Sequence, residues 1–174
     1  MRNVVCLTMF SALLGGCTTV SDLPDSRLAS AELKYANGLP GGTVQVLGNG
    51  AGATLVIALV GAPEGPHGVH LHATGQCDAP DFKSAGGHLN PASRQHGSEN
   101  PAGSHLGDLP NVVVGKPGSG TLRHDLAGDR AELLADLFDS DGTAVVVHEG
   151  PDDYRTDPSG NSGSRIACGV LKRL

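Results

Sequence analysis

The sequence predicts an all-β domain, an antiparallel sandwich or barrel. Three observations carry this. Gly 26 and Pro 11 among 174 residues, with 3% aromatics and no Trp, describe a chain of frequent turns around an aliphatic core. Short stretches of alternating or β-branched character recur between Gly, Pro, Asn and Asp clusters. Only one stretch has helical spacing, and it is too short to build a bundle.

The first element is an address. Met1, Arg2 and Asn3 precede an apolar run from Val4 to Leu14, too short to span a bilayer but matched to a secretory signal. Leu14-Gly15-Gly16-Cys17 follows, which resembles the bacterial lipoprotein signal, where cleavage leaves a lipid-bearing Cys. The expected organisation is a signal peptide over residues 1–16, a lipidated Cys17 with a polar tether over 17–30, and one domain over 31–174. An ordinary signal peptide with an incidental Cys is the alternative. Either reading exports the chain, to the periplasm in a bacterium with two membranes, touching a membrane only through the lipid at Cys17.

Eight strands are expected, over residues 31–36, 43–47, 53–59, 68–72, 111–114, 120–126, 144–149 and 165–171. Residues 131–138 (AELLADLF) read as one or two helical turns stopped by Asp139-Ser140-Asp141-Gly142. Residues 73–110 and 150–164 lack strand character. Loops of that length inside a compact domain are usually functional, so function is sought there.

Charge and cysteine content narrow the function classes. With 12 Lys+Arg against 18 Asp+Glu and no basic block, the chain has no electrostatic footprint for nucleic acid. Cys6 leaves with the signal and Cys17 carries lipid, so Cys77 and Cys168 remain. In an exported chain they read as one disulfide, with two buried thiols as the alternative. No C-x-x-C occurs, which leaves a redox dithiol or zinc knuckle unsupported.

The histidines carry the chemistry. Six of the eight lie between His67 and His105. His70 and His72, two apart on a predicted strand, share one face, while His67 takes the other. His88, His96, His105 and Asp108 follow in a Gly/Pro-rich loop, a three-imidazole, one-carboxylate set suited to tetrahedral zinc. His148, ending a distant strand, adds another imidazole. His124 reads as solvated, and Asp78, Asp81 and the acidic stretch from Asp125 to Asp141 as loop charges.

At these residues the sequence resembles the copper,zinc superoxide dismutases in their exported bacterial form. The resemblance rests on His67-Gly-Val-His70-Leu-His72, Gly86-Gly87-His88-Leu-Asn90-Pro91, His96-Gly97, His105-Leu-Gly107-Asp108-Leu-Pro110, His148-Glu-Gly-Pro-Asp152-Asp153 and Gly160-Asn-Ser-Gly-Ser-Arg165-Ile-Ala-Cys168-Gly169. It implies an eight-stranded Greek-key barrel or sandwich with two long functional loops, an architecture and a diffusion-limited activity for which the family itself is a standing example. It implies one copper per chain on His70, His72, His88 and His148, and one zinc per chain on His88, His96, His105 and Asp108. His88 would bridge the two. Asp152 would link a copper-ligand His to a zinc-ligand His, and Cys77 and Cys168 match the family's disulfide. The implied reaction converts two superoxide ions to dioxygen and hydrogen peroxide, with His88 as ligand and proton donor in turn and Arg165 guiding the anion. His67 matches a position that braces the backbone.

Departures accompany the resemblance. Val69 stands where many members have Phe, a packing change. The stretch after Asp153 is short, with Arg155 its only cation before Arg165, so substrate steering is expected to be weaker or to come from elsewhere. The spacing from Cys77 to His88 resembles bacterial members, whose assembly varies, so monomer and homodimer stay open. A periplasmic copper and zinc reservoir or chaperone without turnover is the competing reading, against which Arg165 counts, since storage gains nothing from an anion guide. A zinc hydrolase on His96, His105 and Asp108 is opposed by His88, which closes the site.

Overall fold

The structure, a computed structural model, describes residues 26–174. The expected leader and the lipidation site Cys17 lie outside the described residues. Among the described residues, ten strands, one α-helix and a 3-10 turn over Lys83–Ala85 form: β1 (Ser26–Tyr35), β2 (Pro40–Asn49), β3 (Gly52–Val60), β4 (Gly65–His67), β5 (Val69–His72), β6 (Val112–Val114), β7 (Ser119–Leu126), α1 (Arg130–Leu137), β8 (Ala144–His148), β9 (Arg165–Val170) and β10 (Lys172–Arg173). All eight expected strands form, and the short β4 and β10 were not anticipated. β1 starts at Ser26, so residues 26–30, expected in the tether, belong to the sheet: Ala29 is fully buried and pairs with both Val46 and Arg173.

The main sheet runs β5-β8-β9-β1-β2-β3-β7, with β10 beside β1, and each pairing is antiparallel. β1, β2 and β3 are joined consecutively, and β9 returns from far along the chain to lie beside β1. That is the Greek-key order. A second pair, β4-β6, is tied to β7 by a turn in which the Gly115 N–H donates to the Ser119 carbonyl at 3.0 Å.

Period-two alternation explains the core. Along β2, Val44 and Val46 are buried while Thr43 is exposed; along β3, Leu55, Ile57 and Leu59 point inward. They meet Val69, Leu71, Val112, Val114, Val145 and Val147 in one aliphatic cluster, each large side chain contributing roughly 1.5–3 kcal/mol by leaving water. Where β2 bulges at Gly41, between the Leu33–Gly42 and Lys34–Pro40 pairs, Gly42 adopts φ +138°, and a Cβ there would run into the Ala58 carbonyl. Helix α1 lies on a connection, as expected. The Asp129 carboxylate caps it by accepting from the Ala131 N–H at 2.8 Å, and Leu133 and Leu137 bury its inner face.

Cys77 and Cys168 form a disulfide across a sequence separation of 91, tying the loop after β5 to β9. Closing so long a loop removes denatured-state entropy worth about 4–5 kcal/mol in the chain-entropy model. Reduction of this bridge is therefore expected to lower the melting temperature by on the order of 10 °C, read by thermal denaturation with and without a thiol reductant. An unchanged melting temperature would show that the bridge contributes nothing to stability.

Candidate metal centre

Strand β5 has the local pattern Val-His-Leu-His with all four residues buried. Alternation sends Val69 and Leu71 into the aliphatic core and turns His70 and His72 to the opposite face. β8 lies beside β5 with His70 facing Val146, and its last residue, His148, arrives next to them. The β8-β9 ladder shifts register between Val147 and His148, which sets His148 opposite Arg165. A bulge at a sheet end is a usual device for re-aiming a side chain.

The long loop over residues 73–110 reaches the same place by pairing with the free edge of β5. The Leu89 N–H donates to the Leu71 carbonyl at 2.8 Å, and the Leu71 N–H donates to the Gly107 carbonyl at 3.0 Å. These bonds lay His88 beside His72 and Asp108 beside His70. The loop is thus fixed by backbone pairing although it has no strand character of its own.

Among the ligand-like groups that result, two share His88. The first is His70, His72, His88 and His148; the second is His88, His96, His105 and Asp108. Within each, one ligand atom per residue lies within 4.8 Å of all the others. In the first group, His70 Nδ1 and the Nε2 atoms of His72, His88 and His148 are buried with no hydrogen-bond partner. Their remaining nitrogens are held from behind: His70 Nε2 by Asp152 at 2.7 Å, His72 Nδ1 by the Gly86 carbonyl at 2.9 Å, and His148 Nδ1 by the Gly163 carbonyl at 3.2 Å. Each such bond fixes the proton on the rear nitrogen and leaves a lone pair facing forward.

Burial keeps these rings neutral. Desolvation lowers the His70 pKa to about 3, with the Asp152 hydrogen bond only partly opposing it. It lowers His72 to about 2 and His148 to about 4, and nearby His88 pushes both further down. His88 is lowered as well, by desolvation, against the pull of Asp108. Four buried neutral imidazoles aiming unpartnered lone pairs at one point suit a borderline-soft transition metal, copper included.

In the second group, one oxygen of Asp108 lies 2.9 Å from His88 Nδ1, 2.9 Å from His96 Nδ1 and 3.0 Å from His105 Nδ1. His105 Nδ1 and His88 Nδ1 are 3.4 Å apart. Three nitrogens and one carboxylate oxygen at such spacings fit a four-coordinate zinc. The other Asp108 oxygen accepts from the Gly97 and His105 backbone N–H groups. Burial raises the Asp108 pKa, but the His88 bond and these donors outweigh it and hold the carboxyl well below its ordinary value.

Asp152 links the groups from behind. Its side chain is fully buried, with Oδ2 2.7 Å from His70 Nε2 and Oδ1 3.0 Å from His96 Nε2. Arg165 donates to the Phe82 and Gly86 carbonyls, each at 2.7 Å, and the Gly86 carbonyl is the one that also holds His72. The guanidinium is therefore locked onto the loop that the Cys77–Cys168 bridge pins down.

His67 stays outside both groups. Its ring nitrogens contact the carbonyls of His148 and Pro63, each at 2.9 Å, a bracing role. Val69 is fully buried in the core. His124 is half-buried on β7, with its pKa lowered by desolvation. Arg155 pairs with Glu99, Nε to carboxylate at 2.7 Å. Sequence reasoning did not find Asn111, Tyr154 and Asp157. The Asp157 carboxylate accepts from the His96 backbone N–H at 2.6 Å, and the other two surround Asp152. None lies in a periodic pattern or has a metal-ligand side chain at a telling spacing.

Comparison with known proteins agrees with this geometry. Residues 41–171 match the family described as copper/zinc superoxide dismutase (SODC). The chain is 49% identical over 107 residues to a superoxide dismutase [Cu-Zn] of Aquifex aeolicus, a match covering 59% of this chain and 62% of that protein. It is 40% identical over 152 residues to the superoxide dismutase [Cu-Zn] of Caulobacter vibrioides, covering 83% and 85% of the two chains. Among solved structures, a SOD-like protein from Bacillus subtilis superposes with a TM-score of 0.78 at 36% identity, covering 84% of this chain and all of that one. A profile match over most of the domain, a relative aligned over most of both lengths and a common fold lead to one assignment: the chain belongs to the copper/zinc superoxide dismutase family.

Proposed function

We propose that this protein dismutates superoxide to dioxygen and hydrogen peroxide, with copper held by His70 Nδ1 and by Nε2 of His72, His88 and His148, and zinc held by His88, His96, His105 and Asp108. The observation that carries the reading is the set of four buried, unpartnered nitrogens sharing His88 with the Asp108 cluster. Bound copper supplies one-electron chemistry, and zinc supplies charge without redox. The chain supplies the rest. His88 presents Nε2 to one group and Nδ1 to the other, so Nε2 can hold a proton and release it to reduced substrate while Nδ1 stays fixed near Asp108. Arg165, a fixed cation with forked donors, orients a small anion at the mouth of the site.

We also infer an exported lipoprotein anchored through Cys17 and working in the periplasm. The signal-like start and Leu14-Gly15-Gly16-Cys17 support this, and a structural disulfide is the chemistry of an oxidising compartment.

The direct test is dismutation by the chain after loading copper and zinc to about one of each, the stoichiometry the two ligand sets require. Fast turnover lost on copper removal is expected; both metals bound without turnover would make this a metal-handling protein. His148→Ala should abolish dismutation yet leave zinc bound, read by metal analysis alongside the assay, and full activity would sink the copper assignment. Arg165→Ala should slow the reaction roughly 10- to 100-fold with both metals retained. Metal loss in that variant would instead make the residue structural.

The metal-free chain should respond to pH. Its folded state resists protonating His70, His72 and His148 until about pH 3, 2 and 4, whereas the unfolded chain takes those protons near the ordinary value of 6.5. Unfolding then consumes protons below pH 6.5, and stability falls as pH falls. The expected outcome is a metal-free melting temperature that declines steadily from pH 7.5 to pH 4.5. A flat profile would contradict the buried neutral imidazoles.

A further inference from the structure

A group that carries no ligand atom surrounds the Asp152 carboxylate. The Tyr154 backbone N–H donates to Asp152 Oδ1 at 2.7 Å, the oxygen that also meets His96 Nε2. Tyr154 adopts φ +62°, a left-handed conformation that non-glycine residues seldom take. Something must hold it there. Its phenol oxygen accepts from the Asn111 N–H at 2.8 Å, and its carbonyl accepts from the Glu99 N–H at 3.0 Å. The Asn111 side chain in turn grips the Asp152 backbone on both sides, donating to its carbonyl at 2.9 Å and accepting from its N–H at 2.8 Å. Asn111, Asp152 and Tyr154 form a closed ring of hydrogen bonds. Across from it, a Cβ on Gly97 would run into the Tyr154 carbonyl, and one on Gly160 into the Asp152 carboxylate.

We propose that Tyr154 is a positioning residue for the metal centre: anchored by its hydroxyl to Asn111, it holds the Asp152 carboxylate in the orientation that reaches His70 and His96 together. The inference rests on the metal-centre reading above. It gives the stretch after Asp153 a task beyond handling substrate charge. That stretch sets the angle at which two rear-held imidazoles present their forward nitrogens. A hydroxyl on one loop thereby tunes a centre it never touches.

The test replaces Tyr154 by Phe, which deletes one hydroxyl and keeps the ring. Zinc affinity is measured by chelator competition, and the zinc site is probed by the visible spectrum of cobalt(II) bound in its place. Outer-shell partners of metal ligands typically change affinity by about 10- to 100-fold, and Tyr154 acts one contact further out, so a loss of roughly 3- to 10-fold with an altered cobalt spectrum is expected. Asn111→Ser, which removes the grip on the Asp152 backbone, should shift both readouts the same way and carries the test if Tyr154→Phe does not fold. Arg155→Ala removes an exposed contact of the same loop with Glu99 and should leave zinc affinity within about twofold, as expected for a surface pair. Wild-type affinity and spectrum in Tyr154→Phe, or an equal loss in Arg155→Ala, would overturn the proposal. A wild-type chain that binds neither zinc nor cobalt would overturn the metal-centre reading itself.

Discussion

Four imidazole nitrogens buried without a partner are the constraint on which the rest of the structure depends. Each unsatisfied polar atom costs a folded chain on the order of 1–3 kcal/mol, and a protein relieves such a cost where it can, by rotating the ring or admitting a donor. Here rotation is closed off, because the other nitrogen of each ring is already held, by Asp152, the Gly86 carbonyl, Asp108 or the Gly163 carbonyl. The arrangement forgoes some metal-free stability so that the ligand atoms are fixed before a metal arrives. Pre-orientation of this kind lowers the ordering cost at binding.

The fold supplies the rigidity this requires. Histidines on β5 and β8 stand on two neighbouring strands whose other faces are locked into the aliphatic core, so His70, His72 and His148 cannot drift relative to one another. The second set stands on a loop, the less rigid place, and the compensation is visible. Backbone pairing along Leu71 registers the loop on β5, and Asp157 bonds to the His96 N–H from the other long loop. Each loop is held by its partner as much as by the barrel.

What the sequence made legible follows from which interactions are local. Alternation on β5 placed His70 and His72 on one face, and the apolar run before His148 marked its strand. The zinc-type set was readable because its residue types and spacing are limited by coordination chemistry. The opening of β1 was missed because Ser-Arg-Leu-Ala-Ser carries little hydrophobic signal, and its place in the sheet comes from pairing with β2 and β10. β4 was hidden by Pro66, a residue tolerated there in a short edge strand paired with Val113. Tyr154 and Asn111 were invisible for a deeper reason. Their roles are single hydrogen bonds to a residue adjacent in space, and an isolated Tyr or Asn in a loop looks like any other.

The electrostatics of the mouth follow from the same economy of local contacts. The chain is net negative and the proposed substrate is an anion, so long-range attraction has little to work with. Arg155 does not help, since Glu99 neutralises it, and Lys83 is paired with Asp81 at 2.8 Å. Arg165 is different. Its hydrogen bonds go to two carbonyl oxygens, which fix the guanidinium in place without neutralising it, and the Asp81 carboxylate acts on it electrostatically rather than by a hydrogen bond. A single oriented cation close to the site acts over a few ångströms, inside the screening length that would blunt a diffuse field. Because one of those carbonyls, that of Gly86, also holds His72, the position of the cation and the position of a ligand are fixed by the same atom.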